Sequence, residues 1–212
     1  MKITLLYITM FFICCSPNFN LMEGDILFQD LDSSELCEAI EIVTPGYNNY
    51  NFSHIGIVVK YNDTLKILEA IPPKVQITNL DEFLSRSNDT NNNPKTIVGR
   101  LKKEYLYIIP NAIKCCLNKL EMDYDDYFLM SNNKYYCSEL IYECFAKDSI
   151  FELNKMTFID PKTNETSIVW DNYFKELNVE VPEGELGINP GIMSISNKID
   201  IIYEFGIPSK KY

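Results

Sequence analysis

Histidine is all but absent. His54, inside "NFSHIGIVVK", is the only one in 212 residues. Any chemistry that needs an imidazole must therefore use it. There is no CxxC pair, and with one His the usual zinc frameworks are excluded, so no metal or cofactor is expected. Lys and Arg are scattered without a basic patch, and the net charge is -11, which argues against nucleic-acid binding. No internal repeat is present. What is abundant is apolar and aromatic: 46% hydrophobic residues, with 14 Tyr and 12 Phe. Such a chain is not disordered, and its length suits one domain with a real core.

The first residues stand apart. "MKITLLYITMFFICCSPNFN" carries one Lys, an apolar run from Ile3 to Cys15, and a polar turn. The run is short for a membrane span and suits a signal-peptide core. Residues 1–20 are thus expected to be an export leader, and 21–212 a single domain. "FFICCS" resembles a bacterial lipoprotein signal, with Cys15 as the candidate lipidated residue. That implies export to the cell envelope, with membrane attachment through an N-terminal lipid. If the run is instead a buried N-terminal helix or strand, the protein stays in the cytoplasm. Five of the seven cysteines lie beyond this region, an odd number that leaves at least one thiol free. Adjacent Cys115 and Cys116 sit in an apolar helical pattern and read as core.

The remaining chain divides into short elements. "GDILFQD" (24–30) reads as a strand. Residues 33–43 read as a helix capped by Ser33 or Ser34. Residues 52–60 and 65–71 are β-rich runs joined by the turn sequence "YNDT", hence a hairpin. Shorter strands are expected at 74–78 and 96–102, and a brief helix follows Asn79. Helices are expected from about 110, with Pro110 in the first turn, and over 135–148. The stretch 149–212 is irregular, with a short helix near 168–177 and a last strand at 199–204. Strands and helices cluster rather than alternate, so the class is α+β, an antiparallel sheet against a few helices.

Three residues stand out chemically. Cys137 begins the helix of "KYYCSELIYECF", where unpaired N–H groups and the helix dipole favour a thiolate and can stabilise an oxyanion. Cys144 shares its face with Leu140 and Ile141 but lies two turns deeper. A thiolate enzyme usually needs an imidazole base, and His54 begins a strand beside a loop. Gly56, on its face of that strand, leaves space that suits either a cleft or a closely packed helix. Glu69, inside the apolar "LKILEAI", is costly there unless paired, and the hairpin brings it within about two residues of His54. The alternative is an edge-strand Glu facing water.

Together "GDILFQ", "SHIGIVV", "ILEA", "YDDYF" and "KYYCSELIYECF" resemble the circularly permuted papain-like hydrolases, the YiiX-like branch of the NlpC-type peptidase and amidase superfamily. The resemblance spans roughly residues 23–205. It implies a permuted papain-like sheet packed on the nucleophile helix, with Cys137 as nucleophile, His54 as base and Glu69 as the third, polar member. It also implies structural roles near the site for Gly24 and Asp25, and oxyanion or cleft roles for Gln29, Tyr136 and Ser138. Glu139 is expected to anchor a loop or to face solvent. The implied activity is thiol-dependent cleavage of an amide bond in a peptide, a peptidoglycan fragment or an acylated amine. A lipid acyltransferase and a non-catalytic envelope binding module are the alternatives. Phe128, Met130, Phe151, Met156 and Phe158, in segments expected to wall the cleft, lean the substrate toward an apolar acyl group; the alternative is that they belong to the core.

Overall fold

The computed structural model describes residues 19–210. The expected leader up to residue 18, including Cys15, lies outside the described residues. Phe19 and Asn20, placed by the sequence at the leader's end, are part of the fold. The Phe19 ring stacks on Tyr203 at 4.1 Å, and the Asn20 carbonyl accepts from Arg100. Among the described residues, no helix is long and apolar enough to cross a membrane.

Six strands form one sheet: β1 (Ile26–Gln29), β2 (His54–Tyr61), β3 (Thr64–Ile71), β4 (Lys74–Thr78), β5 (Thr96–Leu101) and β6 (Ile199–Glu204). Their order is β6-β5-β1-β2-β3-β4, and every pairing is antiparallel. The β2–β3 hairpin turns on Asn62 and Asp63, both with positive φ. Asn and Asp tolerate that left-handed backbone better than other side chains, which is why "YNDT" closes the hairpin.

Alternation along the strands gives the sheet two apolar faces. One carries Ile26, Phe28, Ile55, Ile57 and Leu68 into the main core. Two helices cover it, α3 (Ile109–Leu117) and α4 (Cys137–Phe145), through residues such as Ala112, Leu140, Ile141 and Phe145. The other face presents Leu27, Val58, Ile67 and Val98 to Phe83 of α2 (Leu80–Leu84). Helices α1 (Glu35–Val43) and α5 (Ile168–Glu176) pack on each other. As expected for α1, the Ser34 hydroxyl caps it by accepting from the Cys37 N–H.

One cysteine reading changes. The apolar pattern places Cys115 and Cys144 in the core alongside Cys116. Of these three, Cys116 keeps a free thiol; Cys115 and Cys144 form a disulfide between α3 and α4, with Cα atoms 5.4 Å apart. Helix periodicity shows which face a residue occupies but not which turn of a neighbouring helix it meets. The bridge closes a loop 29 residues long. Reducing it, or replacing both cysteines by alanine, is expected to lower the unfolding free energy by about 2–4 kcal/mol in urea titrations.

Candidate active site

The site forms where β2, β3 and the start of α4 meet. Cys137 is the first residue of α4, after an extended Tyr136. The N–H groups of Cys137 and Ser138 have no carbonyl four residues back within the helix, so they remain available as donors. The Cys137 thiol lies beside the His54 ring, close enough to raise the imidazole. On its other side, His54 Nε2 lies 2.6 Å from Glu69 Oε2, which leaves Nδ1 for the thiol. All three side chains are buried: Cys137 is 7% exposed, His54 4% and Glu69 0%.

Glu69 is a paired carboxylate, not a solvated edge residue. The β2–β3 ladder runs to Ile57↔Leu68. One step further, Glu69 lies level with Gly56, two residues from His54. Arg86 grips the carboxylate with both arms, Nη1 to Oε2 at 2.7 Å and Nη2 to Oε1 at 2.6 Å, and the Thr78 hydroxyl donates to Oε1. Burial would push Glu69 up, but the hydrogen bonds from Arg86 and His54 outweigh it and hold the group at about 2. For His54, burial alone would favour the neutral ring. The hydrogen bonds to Cys137 and Glu69 overcome it and raise the imidazole to about 9.

The space beside Gly56 is occupied. A Cβ there would come within 2.5 Å of Ile67 Cγ2 and 3.1 Å of the Phe83 ring. Close helix packing, not an open cleft, is thus the reason for this glycine. Gly56→Ala is expected to cost about 1–3 kcal/mol of stability, read from the denaturant midpoint, because the α2 ring must move.

Gln29 is not an oxyanion donor in this arrangement. It pairs with His54 across β1–β2 and is fully buried, but its amide nitrogen donates to the Phe83 carbonyl at 2.7 Å. Side chains along β1 alternate, and Gln29 shares the face of Leu27, toward α2. Its role is to pin the end of α2 beneath His54, where the Phe83 ring lies 5.7 Å from the imidazole. Gly24 and Asp25 are not near the site either. They precede the other end of β1, roughly four residues or about 13 Å from Gln29. Gly24, with φ +89°, packs against Ile109, and buried Asp25 is held by Arg100 through Nε at 2.6 Å.

Tyr136 and Ser138 line the cleft, yet their hydroxyls are engaged. Ser138 Oγ donates to the Ile188 carbonyl, and the Tyr136 hydroxyl accepts from the Ile188 N–H. Together they tie the 186–190 segment to the start of α4. Glu139 anchors a loop, as one of its two expected readings had it: its carboxylate accepts from the Tyr136 and Ser131 backbone. Burial first, and the nearby Asp125 second, push it up to about 8. Asp125, also buried, accepts from the N–H groups of Tyr127 and Leu129 in the same loop.

A cleft of about 370 Å³ opens beside Cys137 and His54. Its walls are mainly apolar, with Leu36 and Ile40 from α1, Phe128, Phe158, Trp170 and Ile192. Of the aromatic and Met residues expected to wall it, Phe128, Met156 and Phe158 do. Met130 and Phe151 do not; Phe151 packs edge-on against Phe145 in the core. Tyr124, inside "YDDYF", also lines the cleft. Burial, and after it the charge of Cys137, push its hydroxyl well above the ordinary phenol range, so it stays a donor.

Sequence reasoning missed Arg86 and Tyr124. The signal for Arg86 was scarcity: of the 19 basic residues only Arg86 and Arg100 are arginines, and each grips a buried carboxylate.

The buried groups fix how stability depends on pH. His54 at about 9, and Glu139 and Glu41 at about 8, all hold protons in the folded protein that the unfolded chain has already released at pH 7. For Glu41 the causes are burial first and the Asp30 charge second. Each contribution is complete below the unfolded value and lost as pH rises through the folded one. Glu69 acts oppositely, with its contribution lost as pH falls below about 4.5 toward 2. Thermal unfolding scans are therefore expected to show Tm falling between pH 7 and 9, before any lysine titrates.

Residues 20–203 match the family described as permuted papain-like amidase enzyme, YaeF/YiiX, C92 family. The chain belongs to this family. Its description names a papain-like amidase, and the antiparallel sheet with α4 packed on it agrees with that fold. The chain is 29% identical over 122 residues to the uncharacterized protein YiiX of Escherichia coli strain K12. That match covers 58% of this chain and 56% of YiiX, so the alignment spans about half the length of the relative. The crystal structure of YiiX from Escherichia coli O157:H7, described as a metalloprotein, superposes with a TM-score of 0.71 at 19% identity. It covers 87% of this chain and 97% of the other.

Proposed function

We propose that the protein is a thiol hydrolase that cleaves an amide bond whose acyl side is apolar. The observation that carries this reading is the chain of contacts from Cys137 to His54 to Glu69 at the mouth of an apolar cleft. The Cys137 sulfur attacks the carbonyl carbon while His54 holds the proton. The first-turn N–H groups of α4, with the Tyr124 hydroxyl, stabilise the developing oxyanion. As the tetrahedral intermediate collapses, the C–N bond breaks, and His54 gives its proton to the leaving amine. The acyl group stays on sulfur as a thioester. His54 then takes a proton from water, the hydroxide attacks the thioester, and the thiolate leaves with the carboxylic acid released.

The proposed location is the cell envelope, reached through the N-terminal leader. The Cys115–Cys144 bridge supports it, because such bonds persist in oxidising compartments.

The O157:H7 relative is described as a metalloprotein. The residues present here do not fit a metal site. Among the described residues, no three His, Cys, Asp or Glu side chains are grouped to hold an ion. The third group beside Cys137 and His54 is Glu69, and both its oxygens are taken by Arg86, Thr78 and His54. No step of the proposed reaction passes through a metal.

The test is intact-mass spectrometry during turnover of N-acyl amides and activated acyl esters of two to sixteen carbons. A thioester adduct on Cys137 that accumulates more with the longer chains is expected. Absence of an adduct with every compound, in protein whose Cys137 is reduced, overturns the proposal.

A further inference from the structure

Among the described residues, Arg86 is the one charged group hydrogen-bonded to the Cys137, His54 and Glu69 group that the reaction above does not use. It follows α2 and its guanidinium lies 5.3 Å from the Phe83 ring centroid, on the side of Glu69 away from the cleft. Glu69 Oε2 accepts from Arg86 Nη1 at 2.7 Å and meets His54 Nε2 at 2.6 Å. Guanidinium and imidazole thus share one carboxylate oxygen, and a full positive charge stands within roughly 5 Å of the base. The Arg86 side chain is only 19% exposed, so water screens that charge weakly. The assembly that holds it there is specific. Gln29 pins the Phe83 carbonyl, Gly56 leaves room for the Phe83 ring, and Arg86 leaves the helix end next to it.

We propose that Arg86 is a positioning residue of the site: it fixes the Glu69 carboxylate toward His54 and, through its charge, sets the pH at which the imidazole gives up its proton. This rests on reading Cys137 and His54 as the reacting pair. A bare buried carboxylate would bind the His54 proton too tightly for the ring to release it to a leaving amine. A carboxylate half-neutralised by Arg86 orients the ring and still lets the proton go. The titratable groups that bear directly on His54 are Glu69 from β3 and Cys137 from α4, and Arg86 beyond α2 reaches it through the shared Glu69 oxygen. Glu82 acts on Arg86, and Tyr124 faces Cys137. Of these, Arg86 alone is a fixed cation.

The single histidine makes the test direct. With labelled histidine, the full-length protein gives one set of imidazole NMR resonances, and their midpoint with pH belongs to His54. Removing the cation raises proton affinity, so Arg86→Met is expected to move the midpoint up by about one pH unit or more. Arg86→Lys is expected to stay within about half a unit of the wild type. The pH profile of iodoacetamide alkylation at Cys137 should shift in the same direction. A folded Arg86→Met variant with an unmoved midpoint overturns the proposal, because a purely structural arginine would change Tm alone. If Arg86→Met does not fold, Glu69→Gln is compared with Glu69→Gln/Arg86→Met. The same upward step between those two is expected, and equal midpoints overturn it. Failure of the reacting-pair reading shows separately, as a wild-type alkylation profile that His54→Ala leaves unchanged.

Discussion

Cys137→Ala and His54→Ala should each cut acyl-amide turnover by on the order of 10⁴-fold or more, with the fold intact. The effect is large because neither role has a substitute. His54 is the only imidazole, and among the described residues the other free thiols, Cys37 and Cys116, do not contribute to its electrostatics. Cys116 is fully buried, and its thiol is pushed up to about 12, chiefly by burial. The fold survives because Cys137→Ala removes one sulfur at a cleft wall. His54→Ala leaves Glu69 still paired with Arg86 and Thr78. Hydrolysis of the longest acyl amide that turns over, together with circular dichroism, is the measurement. Retention of even a tenth of the activity in either variant would remove the proposed mechanism.

The second large effect is on stability. Glu69→Ala should lower the unfolding free energy by about 3–5 kcal/mol in denaturant titrations. The carboxylate is fully buried and holds two cations, His54 and Arg86. Deleting it removes the buried carboxylate that both hydrogen-bond to, and leaves the two cations next to each other. Glu69→Gln keeps the shape and one acceptor oxygen, so its loss should be smaller. Its activity should also fall less than that of Cys137→Ala, since the ring can still be oriented by a hydrogen bond. A loss below about 1 kcal/mol for Glu69→Ala would mean that the pair behaves like an exposed ion pair.

The sequence made the grouping of Cys137, His54 and Glu69 legible because each lay at a position of local meaning. Cys137 heads a helix, His54 begins a strand, and Glu69 is a charge inside an apolar run of the same hairpin. A two-residue turn at Asn62-Asp63 then fixes the register, so the distance between His54 and Glu69 follows from counting. Contacts between elements distant in sequence were not legible. Arg86 reaches Glu69 from across α2, and Cys115 meets Cys144 across two helices. Gln29 and His54 are strand neighbours, yet whether the amide faces the cleft or α2 depends on which helix covers that side of the sheet. The "GD" of Gly24-Asp25 was placed near the site through family resemblance. The register of β1 against β2 puts it at the far end, where Asp25 pairs with Arg100.

The central claim is that His54 activates Cys137. Site-resolved mass spectrometry of iodoacetamide labelling at pH 7 tests it most directly, comparing the wild type with His54→Ala. The account predicts that Cys137 is alkylated well ahead of Cys37 and Cys116 in the wild type, and that this lead disappears in His54→Ala. Equal, slow labelling of all three thiols in the wild type, or an unchanged lead in the variant, would contradict it.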